Sequence, residues 1–487
     1  DPPMAHSTPP ATNPTAQLPY AHTLPRLLGP IDAIALVVGS IIGSGIFLKV
    51  DAIAREMGSF GPIIAVWAAG GLAAMCGSLA LAELSAMLPH AGGPYVYLRQ
   101  AYGRLCAFLW GWTEFSVIRT GSLGSLACGT VIYFDRFLQA LQAQGVLPGL
   151  LNSVVPLPHV GQAVLTLLAV LLPSTINIVG TRWGPRPQNI TTVIKVAFLG
   201  FLICGPFLLG KSDAGNFHPV SPPRYDFELW KHFGLAMVAV FWAYDGWINI
   251  GPVAEEIRNP HRNVPLGLIV GMLIIIGVYV LTIIGYHSVL PMNTIQNTQT
   301  VAADAMGVLI GEWGPAIASL GVMVSTFGAL NSNLLSGPRV YFAMARDGLF
   351  PEKIRQVHAT FQTPAYAIAI QTGWSLVQIV LVFLFTANPG DAFGTLTDFV
   401  ILGGTVFYGL TVGAVILLRF QQPNLDRPYR TLGYPITPLV YLVSVVVVVG
   451  SMLVDTPLQV AAVGGLMLLG VGAYFYFQRA GLSGSHD

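Results

Sequence analysis

Residues 31–50 read IDAIALVVGSIIGSGIFLKV, an apolar run interrupted by Gly39, Gly43 and Gly45. About twenty apolar residues is the length at which an α-helix crosses the roughly 30 Å hydrocarbon core of a bilayer. Glycine costs roughly 1 kcal/mol in a helix relative to alanine, so Gly43-Ser44-Gly45 makes a weak place halfway along the run. Two readings are open. Small residues let neighbouring helices pack closely. Alternatively, the helix unwinds there and bares N–H groups at the positive end of its second half and carbonyls at the end of its first. An unwound pair of helix ends has a place for both the carboxylate and the ammonium of a zwitterion.

Five apolar runs further on, residues 242–251 read WAYDGWINIG, again with glycines (Gly246 and Gly251) inside a run near 231–256. A pair of glycine-interrupted spans in matching places of two halves is the pattern of inverted repeats with a binding site at mid-membrane. The match favours the unwound reading of the first run. Asp245 would cost about 3 kcal/mol facing lipid, so it faces a cavity or a partner. Its role stays open between capping the second half of the helix and acting directly on a ligand or proton. Trp242 reads either as an aromatic gate or as an ordinary core aromatic.

The whole chain fits that setting. Of 487 residues, 54% are hydrophobic and 9% charged, far below the usual quarter charged of a water-soluble protein. About twelve apolar runs follow one another, near 31–50, 62–88, 103–139, 161–181, 188–210, 231–256, 264–290, 313–345, 364–386, 395–419, 433–453 and 457–478. The expected fold is an all-α membrane protein of twelve transmembrane helices, with discontinuous helices 1 and 6. A transporter domain spans 27–480, with repeats about 31–210 and 231–419 and helices 11–12 about 433–478. A disordered tail is expected over 1–26, with no cleavable signal peptide visible, and a short tail over 481–487. With the N-terminus inside, fifteen of the 23 basic residues fall in the cytoplasm, six outside, and Arg119 and Lys195 within spans. That bias predicts both termini cytoplasmic in a cell membrane, plasma or inner.

Lys195 lies in ITTVIKVAFLGFLICG, an otherwise apolar helix 5. Its ammonium either finds carbonyl acceptors on the unwound helix 1, standing where related folds hold sodium, or snorkels to an interface from about two turns deep. Arg119 in FSVIRTGSL has Glu114 about one turn away as an ion-pair partner. Glu83, Glu255 and Glu256 are expected to organise the cytoplasmic side with Arg258. Net charge +1 gives no basic face for nucleic acid. The four cysteines, Cys76, Cys106, Cys128 and Cys204, have no metal-site spacing. There is no Walker sequence, HExxH or GxSxG, so no enzyme, cofactor or metal is expected, and transport would run on gradients.

GSIIGSGIF, LAELSAMLPHAGGPYVYLRQAYG, FWAYDGWINIGPVAEEIRNPHRNVPLG and LDRPYR together resemble the L-type amino acid transporters of the amino acid-polyamine-organocation superfamily. The likeness covers nearly all of 27–480 and is strongest to bacterial serine/threonine exchanger-like members. It implies a five-plus-five inverted repeat and sodium-independent exchange of neutral L-amino acids. It assigns Ile41, Ile42, Gly43, Ser44, Gly45 and Ile46 to the substrate's carboxylate and amino groups, with Trp242, Ala243, Asp245 and Gly246 completing the pocket. It also makes Lys195 the lysine that replaces sodium, facing Ser325 and Thr326 of helix 8. Trp242 departs from the family's usual Phe, and Asp245 from the Gly of animal members. Animal members join a heavy chain through a cysteine between helices 3 and 4, and residues 140–160 contain none, so no disulfide-linked heavy chain is expected. The expected partners are therefore neutral amino acids and membrane lipid. Proton-coupled uptake, with Lys195 or Asp245 titrating, is the alternative, and a channel or nutrient receptor without turnover is a third.

Overall fold

The computed structural model describes residues 26, 28–90, 92–179, 186–356, 358, 361 and 363–483. Twelve helices in it are long and apolar enough to cross a membrane. They are spans 1 (Pro30–Leu48), 2 (Phe60–Met87), 3 (Arg104–Ala143), 4 (His159–Val179), 5 (Asn189–Leu208), 6 (Phe227–Glu256), 7 (Pro260–Val289), 8 (Val301–Arg346), 9 (Ala365–Phe385), 10 (Pro389–Gln421), 11 (Ile436–Asp455) and 12 (Pro457–Arg479). The expected tail over 1–26 lies outside the described residues except for Arg26, as do residues 484–487 of the 481–487 tail. The backbone of the last helix runs on to Ser483.

Helix starts follow local chemistry. Span 1 begins with Pro30 in its first turn, where a missing N–H costs nothing, and Asp32 accepts the Gly29 N–H at 2.9 Å. Asp226 accepts the Leu229 N–H to start span 6. Span 10 starts at Pro389, not near 395, because Asn388 caps it by accepting the Asp391 N–H at 2.9 Å and Pro389 suits the first helical position. The apolar run alone hides that polar first turn.

Spans 1 and 6 are both broken. Span 1 consists of 1a (Pro30–Ile41) and 1b (Gly45–Leu48). Span 6 consists of 6a (Phe227–Tyr244) and a 3₁₀ stretch, 6b (Trp247–Glu256).

Packing pairs recur when spans 1–5 are exchanged with spans 6–10. Span 1 packs on 5 as 6 packs on 10, 1 on 7 as 6 on 2, 5 on 8 as 10 on 3, and 3 on 4 as 8 on 9. Equivalent spans are five crossings apart, an odd number, so the two halves enter the membrane with opposite sense. This is the inverted repeat. Across the twelve spans burial differs widely: 83% of the most apolar stretch of span 3 is buried, against 17% for span 12. Span 3 is therefore a central strut, while span 12 presents apolar side chains outward, as a helix does where the solvent is lipid.

Candidate functional site

The two breaks press against each other. A Cβ on Gly45 would stand 2.4 Å from the Cα of Ala243, and one on Gly246 would stand 2.7 Å from the Ser40 carbonyl oxygen. Gly246 also has φ of +121°, a backbone that side-chain-bearing residues rarely adopt. Glycine at these two positions sets the breaks at one depth, with backbone on backbone.

At the span 1 break the carbonyls are taken by the protein itself. Lys195, buried in span 5, donates from Nζ to the Ile42 oxygen at 2.7 Å and the Gly39 oxygen at 3.1 Å. Ser325 donates to the Gly43 oxygen at 3.0 Å and the Ile42 oxygen at 3.3 Å. The Tyr279 hydroxyl donates to the Ile41 oxygen at 3.0 Å. Lys195 thus does not snorkel, because its head group lies inside the protein on the unwound backbone. Thr326, expected beside it, instead bonds to Thr130 at 2.8 Å and to carbonyls of its own helix. The N–H groups of Gly43, Ser44, Gly45 and Ile46 meet no acceptor among the described residues.

The span 6 break is wired differently. The Asp245 N–H closes on the Trp242 oxygen at 3.2 Å, but no side chain caps 6b. Among the described residues Asp245 Oδ1 is buried without a hydrogen-bond partner, and the Tyr408 hydroxyl stands beside the carboxyl. The Gly246 N–H also lies beside this carboxyl, although among the described residues no side-chain cap bond to 6b is formed. Trp242 donates from Nε1 to Ser44 Oγ at 3.1 Å and meets the Phe393 ring edge-on, with centroids 6.0 Å apart.

Between the breaks lies a cavity of about 40 Å³, lined by Ile41, Gly43, Ser44, Gly45, Trp242, Asp245 and Gly246 together with Ser122, Leu126, Asn249 and Asn333. Ile42, Ile46 and Ala243 do not line it. At roughly 10–15 Å³ per water, it has room for a few waters and not for an amino acid. The surrounding helices must part to admit one.

Below the cavity, span 3 makes one turn of π-helix, Glu114–Ile118. The extra residue turns Arg119 inward. Its guanidinium pairs with Glu114 at 2.8 Å and donates to Asn249 Oδ1 at 2.6 Å, Asn333 Oδ1 at 2.9 Å and Ser336 at 3.1 Å. The expected ion pair is present, and it joins spans 3, 6 and 8 under the cavity floor. Asn249 and Asn333 are not among the expected residues; their signal in the sequence is that of polar amides inside apolar runs. Further out, Glu83 pairs with Arg419 at 2.6 Å and Glu256 with Arg339 at 2.8 Å. Arg258, expected among them, donates to the Arg26 carbonyl, and its own N–H joins Leu28. Short backbone bonds thereby tie the start of span 1 to the end of span 6.

The chain as a whole, and not only this site, resembles known proteins. The chain is 31% identical over 459 residues to the serine/threonine exchanger of Bacillus subtilis, covering 94% of this chain and 98% of that one. It is 30% identical to the human b(0,+)-type amino acid transporter 1, over 95% and 90% of the two chains, and 28% identical to the mouse Asc-type amino acid transporter 1, over 93% and 81%. These relatives are transporters and not enzymes. Residues 28–472 match the amino acid permease family model; the chain belongs to that family, within the amino acid-polyamine-organocation superfamily, as a multi-pass amino acid transporter.

Proposed function

We propose that this chain exchanges neutral L-amino acids across the cell membrane by alternating access, without sodium. The observation that carries the reading is the division of labour at the paired breaks. The span 1 break offers four bare N–H groups at the positive end of 1b, suited to a carboxylate. The span 6 break offers the closing end of 6a and the Asp245 carboxylate, suited to an ammonium. Of the span 1 carbonyls, that of Ile42 is excluded from the second task by Lys195 and Ser325, while those of Gly39, Ile41 and Gly43 each already hold one donor. A carbonyl has two lone pairs, and on Ile42 both have donors.

Sodium independence rests on Lys195. Its fixed ammonium satisfies the unwound carbonyls that a sodium ion would otherwise be needed to satisfy. Exchange, as opposed to net uptake, follows if the loaded site rearranges far more readily than the unloaded one. The basic end of the bundle, which carries Arg99, Arg258, Arg339 and Arg419, is the cytoplasmic one in this reading, and both termini lie there. No heavy chain is required.

The test is counterflow in proteoliposomes. External labelled amino acid should accumulate when unlabelled neutral amino acid is inside, and equally so in sodium-free buffer. Uptake that needs no internal substrate and answers to an imposed pH gradient would install proton coupling instead, a reading that the unpartnered oxygen of Asp245 favours. Binding without flux would leave only a receptor.

A further inference from the structure

Span 10 serves as a ruler through the molecule. Its first residue, Pro389, lines an open polar vestibule of about 450 Å³ together with Asp135, Arg136 and Asp304. Further along, Ile401, Thr405 and Tyr408 face Asp245. Arg419 closes the basic end on Glu83. At 1.5 Å per residue, Phe393 and Thr397 fall about 6 and 12 Å below Pro389, between vestibule and cavity.

Among the described residues, a buried cation sits in that layer. Lys49 follows 1b directly and is buried, only 7% exposed. Its Nζ donates to Thr397 Oγ1 at 2.6 Å and stands 5.0 Å from the centre of the Phe393 ring. That same ring packs on Trp242, whose Nε1 holds Ser44 of the break. The contacts form a closed circuit: Ser44, Trp242, Phe393, Lys49, and back through 1b.

Among the described residues, Lys49 does not pair directly with a carboxylate. Asp398 and Asp51 act on it only at longer range, and Asp51 is bonded to Arg55 at 2.8 Å. Its hold on span 10 is one hydroxyl and one ring face, in contrast to the five bonds of Arg119 on the other side of the cavity. A fastening made of one charge-assisted bond and one cation–π contact can open repeatedly. The segment it fastens, 1b, is a four-residue helix with a break before it and a bend after it, and so can move as a separate piece.

We propose that Lys49, clasped to Thr397 and Phe393, is the latch of the vestibule-side lid, and that 1b parts from span 10 at this bond when the site opens to the vestibule. Lys49 is a positioning residue and touches no substrate. The inference rests on the transport reading above, and it is tested without flux.

In a chain freed of Cys76, Cys106, Cys128 and Cys204, Leu126→Cys places a thiol in the cavity lining. A membrane-impermeant cationic methanethiosulfonate added to intact cells then reports opening toward the vestibule. Lys49→Met and Thr397→Val should each speed labelling about tenfold, the population change expected when a closed state loses one such contact. The double variant should label no faster than the quicker single one, because both remove the same bond. Thr397→Ser, which keeps the hydroxyl, should label at the parent rate. Unchanged labelling in folded Thr397→Val overturns the latch, as do additive rates in the double variant or fast labelling in Thr397→Ser. Should Lys49→Met not fold, the Thr397 pair decides alone. A parent that exchanges amino acids while these rates stay flat loses the latch and keeps the transport reading; a parent without flux whose rates respond does the reverse.

Discussion

The two breaks meet at one depth, yet their backbone groups have opposite fates. At the span 1 break every carbonyl from Ile41 to Gly43, and that of Gly39, is occupied by a donor from span 5, 7 or 8. At the span 6 break, among the described residues, no side chain caps the second half and one oxygen of Asp245 has no partner. Satisfying a buried polar group stabilises a protein, and leaving one unsatisfied costs stability. The first break is therefore anchored to the scaffold, and the second holds unspent bonding capacity for a ligand. Transport of a zwitterion needs both: a fixed point against which helices can move, and a vacant one where substrate makes the difference between states.

The largest effect should come from forcing the breaks apart. Gly45→Ala puts a methyl 2.4 Å from the Ala243 Cα, where only backbone could yield. Exchange should fall below detection and the unfolding temperature should drop by several degrees, as for other overpacked sites costing about 1–3 kcal/mol. Near-parent flux in Gly45→Ala would mean that the close approach is not needed for function.

Next is the anchor. Lys195→Met removes two bonds to carbonyls, each about 1.5–3 kcal/mol for a charged donor, and leaves the Gly39 oxygen bare. Exchange should fall about a hundredfold, and sodium should not restore it unless the vacated position takes up that ion. Sodium rescue would sharpen the comparison by showing that the anchor is a charge and not a particular side chain.

Asp245→Asn should have the signature of a functional group. A buried carboxylate oxygen without a partner is a liability to the fold, so the neutral amide should unfold at the same temperature or higher. Exchange should nevertheless fall about tenfold, the loss expected if one charge-assisted bond to the substrate ammonium becomes a neutral one. Loss of stability together with activity would instead return Asp245 to a structural role.

Much of this was legible in the residue string. The glycine-interrupted runs at 39–47 and 242–251 marked the breaks, because backbone without side chains is the cheapest to unwind in lipid, and the apolar lengths set the twelve spans. Lys195 and Arg119 were visible as charges that lipid would not tolerate. What could not be read was direction. Nothing in ITTVIKVAF says which carbonyls Lys195 reaches, and nothing in STFG says that Ser325 faces the break while Thr326 turns to Thr130. Those choices depend on how spans 5 and 8 are rotated, which packing decides. For Arg119 the sequence shows only the nearby half of its bonding, the Glu114 ion pair. Its partners Asn249 and Asn333 are 130 and 214 residues away.

The smallest effect lies where the two breaks exchange a single neutral bond. Trp242→Phe keeps a ring to pack on Phe393 and deletes only the Nε1 donation to Ser44. A neutral hydrogen bond is worth about 1 kcal/mol net, or roughly fivefold in an equilibrium. Because the bond exists only while 6a lies against 1b, its loss weakens the closed state and not the contacts of the substrate with backbone. The concentration of amino acid that half-saturates counterflow should therefore rise by up to about fivefold while the maximal rate changes little. Ser44→Ala should match it, since it removes the other end of the same bond. A much larger loss in Trp242→Phe than in Ser44→Ala would assign the indole a second task beyond seating the lid, and contact with the substrate side chain is the one its position allows.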